Sequence, residues 1–301
     1  MGTLALIRYR GALPALAASV ALVCPAGLAG QEKSSAARTP DVHFVPTDTT
    51  KVREMLAAAN VTASDTVYDL GCGDGRFVIT AVKKYKAQRG VCVDIDPVRI
   101  KESKSNADTA GVRNKIEFVQ GDLFVQDLSP ATVITLYLLP SLNERLRPKL
   151  FREVRPGTRI VSNAFDMGDW KPERTMTIKT NSGMQSYAYL WIIPADVSGQ
   201  WRLTTDGGSA REYTLDVKQK YQEVSGTATS GGKAAPLTNF SVNGTEVTFV
   251  VGDGGGRTEF TGTVSGGKAT GTVKGKGGSH AWSAERTKPG ERPDTLSTAG
   301  T

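Results

Sequence analysis

Val67-Tyr68-Asp69-Leu70-Gly71-Cys72-Gly73-Asp74-Gly75-Arg76 is the stretch on which the reading of this chain turns. An apolar run ends in three glycines at alternate positions, and Arg76–Lys84 follows with helical periodicity. Strand, glycine turn and helix together open a βαβ unit. The spacing excludes two nucleotide loops. The dinucleotide fingerprint Gly-x-Gly-x-x-Gly needs glycine where Arg76 stands, and the phosphate loop Gly-x-x-x-x-Gly-Lys-Ser/Thr is not formed here. Asp69 and Asp74 flank the glycines, and carboxylates there repel a pyrophosphate and attract a cation.

The same rhythm extends on both sides. Thr66–Leu70, Gly90–Val93, Ile116–Gln120, Ala131–Leu139 and Thr158–Ser162 read as strands. Val52–Ala59, Val98–Ala110 and Leu142–Val154 read as helices between them, Gly111 stopping the second. This alternation predicts an α/β fold, a doubly wound and mostly parallel sheet with helices on both faces. Ligands bind such sheets outside the carboxyl ends of the strands. Arg174–Thr180 and Ser186–Ile193 read as a hairpin around Asn181-Ser182-Gly183. Past Pro194 the runs become short and alternating, and 20 of the 33 glycines fall there. Residues 195–286 are therefore expected to form a small all-β antiparallel barrel or sandwich, followed by a flexible tail over 287–301.

At the other end, Arg8 and Arg10 precede an uncharged run from Gly11 to Gln31, with small residues in Gly27-Leu28-Ala29. That is the pattern of a signal peptide or membrane anchor over 1–30, with a linker over 31–43. It implies an exported or membrane-anchored chain of a bacterial cell envelope, with membrane association through this segment. A cytoplasmic chain stays open if the segment is not processed. Cys24, Cys72 and Cys92 are too few and too odd for a disulfide scaffold, so Cys72 and Cys92 are read as buried thiols. The net charge of +7 divides as +3 over residues 1–40, +3 over 41–194 and +1 over 195–301. No segment is basic as a whole, so stable nucleic-acid binding is not expected. The cluster Arg145, Arg147, Lys149, Arg152, Arg155 and Arg159 reads as a solvated helix face or, alternatively, as a patch that guides an acidic partner, RNA or lipid headgroups. With His43 and His280 the only histidines, the sequence offers no metal set.

S-adenosylmethionine is a ligand that suits such a loop, because it carries an ammonium and a sulfonium and no phosphate. Asp69 would order the ammonium end, and Gly71, Gly73 and Gly75 would let backbone approach closely. Asp94, which ends the next strand in Val93-Asp94-Ile95, would accept bonds from two ribose hydroxyls. In Gln120-Gly121-Asp122-Leu123-Phe124, Asp122 would accept from the adenine amine while Leu123 or Phe124 packs on the ring. Thr47, Cys72 and Ile95 complete the expected cofactor-binding set.

At these residues the chain resembles a class I, seven-strand S-adenosylmethionine-dependent methyltransferase over roughly residues 44–194. Phe44-Val45-Pro46-Thr47, Asp69–Arg76 and Leu136-Tyr137-Leu138-Leu139-Pro140-Ser141-Leu142 are similar to one branch in particular. That branch is the bacterial relatives of the mitochondrial ATP-synthase c-subunit lysine methyltransferase family; more distant are the non-SET histone lysine methyltransferases. The resemblance implies a seven-strand sheet, S-adenosylmethionine as methyl donor and a protein substrate that offers lysine. Ser162–Trp170 also resembles that group, with Asn163 at a catalytic position where a His is expected. Tyr137 is the second catalytic candidate, its ring placed to flank a methylammonium or sulfonium. The strand end Thr135–Pro140 carries no Asn/Asp-Pro-Pro-Tyr/Phe box and no cysteine, which disfavours adenine, glutamine-amide and cytosine-C5 acceptors. Two alternatives stay open: another small-molecule or nucleic-acid methyltransferase, and an exported binding protein with an idle cofactor pocket.

Overall fold

The structure is a computed structural model that describes residues 40, 42–206, 211–252, 257–275 and 278–291. The leader expected over 1–30, most of the linker and the tail beyond residue 291 lie outside the described residues.

A seven-stranded sheet comes first in the chain. It comprises β1 (Thr66–Leu70), β2 (Arg89–Asp94), β3 (Ile116–Gln120), β4 (Val133–Leu136), β5 (Arg159–Asn163), β6 (Arg174–Lys179) and β7 (Gln185–Ile192). Their order across the sheet is β3-β2-β1-β4-β5-β7-β6. β1 to β5 run parallel, β7 runs antiparallel to β5, and β6 pairs antiparallel with β7. This is the doubly wound sheet the sequence predicts, with the expected hairpin as its far edge. Its helices are α1 (Thr49–Ala58), α2 (Arg76–Lys84), α3 (Pro97–Ala110) and α4 (Pro140–Glu153).

Local chemistry sets the helix ends. The Asp48 carboxylate accepts from the backbone N–H of Thr50 at 2.8 Å, so α1 starts three residues earlier than its apolar periodicity suggests. Asp96 caps α3, Pro97 occupies its first turn, and Gly111 closes it in the left-handed region at φ 70°. Apolar layers then hold the helices to the sheet. Val67 and Cys92 pack with Val52, Met55 and Leu56 of α1 and Val78 of α2 on one face. Tyr68, Leu70, Ile134 and Leu136 pack with Leu146 and Leu150 of α4 on the other, joined by Trp170 and Trp191. Strands buried on both faces read as continuous apolar runs, which is why β1 and β4 were legible.

The second element is a closed antiparallel barrel of eight strands. They are β8 (Gly199–Thr205), β9 (Glu212–Lys220), β10 (Glu223–Ser230), β11 (Lys233–Asn243), β12 (Glu246–Val251), β13 (Thr258–Ser265), β14 (Lys268–Gly275) and β15 (Gly278–Pro289). Alternate residues fill its interior, among them Trp201, Leu203, Leu215, Phe249, Phe260 and Trp282. A cavity of about 30 Å³ among these side chains has room for roughly one water, so side chains fill this space. Gly262 and Gly271 face each other across β13 and β14. A Cβ on Gly271 would lie 2.0 Å from the Thr261 carbonyl, and one on Gly262 would lie 2.5 Å from the Trp282 ring.

Two boundaries shift from the sequence reading. β15 runs to Pro289, which pairs with Gly199, so residues 287–289 close the barrel rather than belong to a tail. Pro40, Val42 and His43, read as linker, line a cavity of the first domain.

The barrel packs on the sheet through Trp170 and Tyr221, whose ring centroids are 5.9 Å apart. Trp170 Nε1 donates to Gln222 Oε1 at 2.9 Å, and the Tyr221 hydroxyl donates to Asp169 at 2.9 Å. Because Trp170 is 1% exposed, Trp170→Ala leaves a large void at this junction. The expected loss is about 3–5 kcal/mol of unfolding free energy, read by urea titration followed by circular dichroism.

Candidate functional site

The strand order reverses between the parallel neighbours β1 and β4, where one connection leads outward to β2 and the other to β5. A cavity of about 610 Å³ opens at this switch point, beyond the carboxyl ends of β1 to β4. Its size is that of a small-molecule cofactor site.

The glycine loop forms its floor. Gly71, Gly73 and Gly75 all have positive φ, at 82°, 53° and 79°. Gly71 N–H and Cys72 N–H both donate to the Val93 carbonyl, at 2.8 and 3.1 Å, so the loop bends back over β2. That bend corrects one expectation. Cys72 and Cys92 are not free thiols but a disulfide, with Cα atoms 5.3 Å apart. Register puts Cys92 beside Asp69 on the neighbouring strand, and the turn at Gly71 swings Cys72 across to it.

Asp69 and Asp74 were read as one cation-attracting pair, and the structure divides them. Asp74 is paired with Arg76, whose Nε donates to it at 2.9 Å. Asp69 has no such ion pair among the described residues; it is 3% exposed and accepts from the Thr135 hydroxyl at 2.6 Å. Burial, together with the nearby carboxylates of Asp94 and Asp74, pushes its pKa up to about 8. Burial also raises the Asp94 carboxyl. Asp94 accepts from Gly73 N–H at 2.8 Å and from Asp96 N–H at 2.9 Å, so it shapes the loop as well as the cavity. Two partly desolvated acids in one cavity make a site in which a positively charged ligand would relieve the strain. This donor set fits S-adenosylmethionine and opposes phosphate.

Of the residues singled out by sequence, Thr47, Asp69, Gly71, Cys72, Asp94, Ile95, Asp122, Leu123 and Tyr137 all line the cavity. Asp122 accepts from Phe124 N–H at 2.9 Å. Gly73, Gly75 and Asn163 do not line it. A Cβ on Gly73 would lie 2.1 Å from the Phe44 ring, so this glycine makes room for the segment before α1 rather than for a ligand. A Cβ on Gly75 would meet Ser103 at 2.9 Å. Asn163 is 3% exposed; its Nδ2 donates to the Thr47 hydroxyl at 3.1 Å, and its Oδ1 has no partner among the described residues.

Two arrangements were not legible in the sequence. The first is the place of the strap of residues 42–47, which lies over the loop: Phe44 sits on Gly73, the Arg99 guanidinium lies 5.0 Å from the Phe44 centroid, and Arg76 donates to the Thr47 carbonyl. The second is Phe165, whose ring stacks beside Tyr137 at 6.3 Å between centroids and 26° between planes, both lining the cavity. The basic cluster is the expected solvated face only in part: Arg145, Arg152 and Arg155 are exposed. Arg147 pairs with Asp169, Lys149 with Glu153 and Arg159 with Asp65, all three cations largely buried, while Arg145 lies 3.8 Å from the Phe124 centroid.

A family model described as the ANTKMT methyltransferase domain matches residues 69–174, beginning at Asp69. A protein-lysine N-methyltransferase of Saccharolobus islandicus is 43% identical over 154 residues, which cover 51% of this chain and 95% of that protein. The lysine N-methyltransferase of the ATP synthase c-subunit from Xenopus laevis is 28% identical over 130 residues; this chain spans 56% of its length. Among solved structures, an RNA methyltransferase from Salinibacter ruber in complex with S-adenosyl-L-homocysteine is 50% identical. The match covers 51% of this chain and 96% of that one, with a TM-score of 0.48.

The raised pKa of Asp69 has a measurable consequence. The ammonium end of S-adenosylmethionine stays largely protonated below about pH 8, so in that range its affinity follows ionisation of Asp69. Calorimetry between pH 6 and pH 8 is expected to show tightening by up to about tenfold per pH unit, levelling above about pH 8. Asp69→Asn is expected to bind weakly and with a flattened profile. A flat profile in the unmodified protein would remove Asp69 as the cation partner.

Proposed function

This chain belongs to the class I S-adenosylmethionine-dependent methyltransferases, and from that premise we propose that its acceptor is the side-chain amine of a protein lysine. The observation that carries this reading is the Tyr137–Phe165 ring pair on the wall of the cavity that holds Asp69 and Asp94. Two facing rings suit a long alkyl chain that ends in a cation. The Saccharolobus islandicus relative, matched over nearly its whole length, supports the same class of acceptor. RNA fits less well, since three of the six cations of the basic cluster, Arg147, Lys149 and Arg159, are held in ion pairs and only Arg145, Arg152 and Arg155 are exposed to phosphate.

S-adenosylmethionine, when bound, supplies an electrophilic methyl group together with its own leaving group. The protein's residues bind, orient and desolvate. Asp69 and Asp94 would hold the cofactor's polar ends, and Ile95, Leu123 and Phe124, which line the same cavity, would provide an apolar wall for its base. Tyr137 and Phe165 would flank the acceptor's alkyl chain; desolvation and the positive charge of the bound cofactor would lower the amine's pKa, its proton passing to solvent and leaving a lone pair for in-line attack. Asn163 has no basic nitrogen, so it serves as a positioning residue that fixes Thr47. The Cys72–Cys92 disulfide supports an oxidising compartment, in line with the leader read from residues 1–30.

Incubating the protein with labelled cofactor and a cell extract is expected to place label on lysine in the protein fraction, read by peptide mass spectrometry. Label confined to RNA or to small molecules would overturn the acceptor assignment. Tyr137→Ala is expected to keep cofactor affinity within about twofold while turnover falls at least tenfold, a loss of about 1.4 kcal/mol or more in transition-state stabilisation.

A further inference from the structure

Single exposed apolar side chains are ordinary on a protein surface; their collection on one edge is not. Among the described residues, the large apolar side chains that remain exposed are Phe44, Val45, Val98, Val125, Leu139, Met184 and Tyr187. They come from separate parts of the chain, yet topology brings all of them to the same edge of the sheet. Phe44 and Val45 belong to the strap over the glycine loop. Val98 stands in the first turn of α3, directly after β2, and Val125 lies five residues beyond β3. Leu139 caps α4 just after β4. Met184 sits in the β6–β7 turn, and Tyr187, whose carbonyl accepts from Ala164 N–H, lies level with the end of β5. This is the carboxyl edge, where the cofactor cavity opens. The edge beyond the amino ends of β1, β2, β4 and β5 carries none of these side chains.

We propose that this rim rests on a lipid bilayer, with the mouth of the cofactor cavity facing the membrane surface. Two features favour a bilayer over a soluble protein partner. The exposed side chains are separated around a mouth and spread over five connections, not gathered into the contiguous aromatic centre that protein interfaces require. A bilayer takes each side chain independently. The second feature is the chain that leads into the strap. The uncharged run Gly11–Gln31 has 21 residues, near the length that spans hydrocarbon, and the eight residues Glu32–Thr39 separate it from Pro40 on the cavity wall. Nine residue steps reach about 30 Å at most. A chain held in a bilayer by that run keeps its cavity mouth, and not its barrel, on the short end of the tether. Among the described residues no helix is long and apolar enough to cross a membrane. The proposal concerns where the site works; it holds whatever the acceptor is, and it is tested without one.

All four tryptophans are buried, at 0–4% exposure, so an added surface tryptophan reports on its own surroundings. Val125 and Met184 are 80% and 67% exposed, which makes Val125→Trp and Met184→Trp mild changes. Ala63→Trp places the probe on an exposed turn before β1, at the opposite edge. The full chain of each variant is mixed with phosphatidylcholine–phosphatidylglycerol vesicles containing brominated phosphatidylcholine. The expected result is loss of more than half of the added emission for Val125→Trp and Met184→Trp, and less than a tenth for Ala63→Trp. Equal quenching at all three positions would overturn the proposal, since the chain would then lie on the vesicle without orientation. Absence of quenching at Val125 and Met184 would overturn it as well. Either failure leaves the lysine assignment standing, because no methyl acceptor is present in the experiment.

Discussion

The pairing of β1 on both edges by strands that run the same way is the constraint from which the site follows. Val67–Leu70 hydrogen-bond β2 on one side and β4 on the other, and all four residues are buried. A strand enclosed in this way can end only by turning out of the sheet. The turn falls at Gly71, with φ of 82°, and the crevice exists because neighbouring connections leave the sheet in opposite directions. Asp69 is carried into the interior by the same strand. Its carboxylate is there because β1 is there, and its raised pKa measures what the burial costs. The fold therefore holds an acid in an environment that a cationic ligand improves, which ties folding to cofactor binding.

The glycine loop is held from several directions. Val93 accepts from Gly71 and Cys72, Asp94 accepts from Gly73, the disulfide joins Cys72 to Cys92, and the Phe44 ring lies against Gly73. Each of these reaches the loop from β2 or from the strap, so the cofactor floor is preorganised by its neighbours rather than by its own sequence. The barrel takes no part in the cavity lining. It meets the catalytic sheet through Trp170, Tyr221 and Gln222, a contact of aromatic packing with satisfied polar atoms.

Much of this was legible along the chain. Strands buried on both faces read as apolar runs, helix caps read as Asp48 and Asp96, and three acids in the order glycine turn, second strand, third strand marked a cavity for a cationic nucleoside. Parts of the barrel were harder to see. β11 went unread because Pro236 and the shift in pairing between Thr238 and Ser241 break its two-residue alternation. The alternation of β15 is weak because few of its side chains, Trp282 and Ala284 among them, point into the core. Phe165 carried no signal, since it stands in a loop after β5 and meets Tyr137 only once β4 and β5 lie side by side.

The sequence by itself determined the order of elements, the class of sheet and the chemistry of the ligand, because these rest on periodicity and on residue types at strand ends. Only the tertiary structure decided which charges are free. Asp74, Arg147, Lys149 and Arg159 look like available charges in the sequence and are neutralised by partners from 2 to 94 residues away. Asp69 looks the same and has no ion pair among the described residues. Pairing of cysteines, of rings and of ions depends on distances across the sheet. Those distances are set by strand register and loop path, and a linear sequence records neither directly.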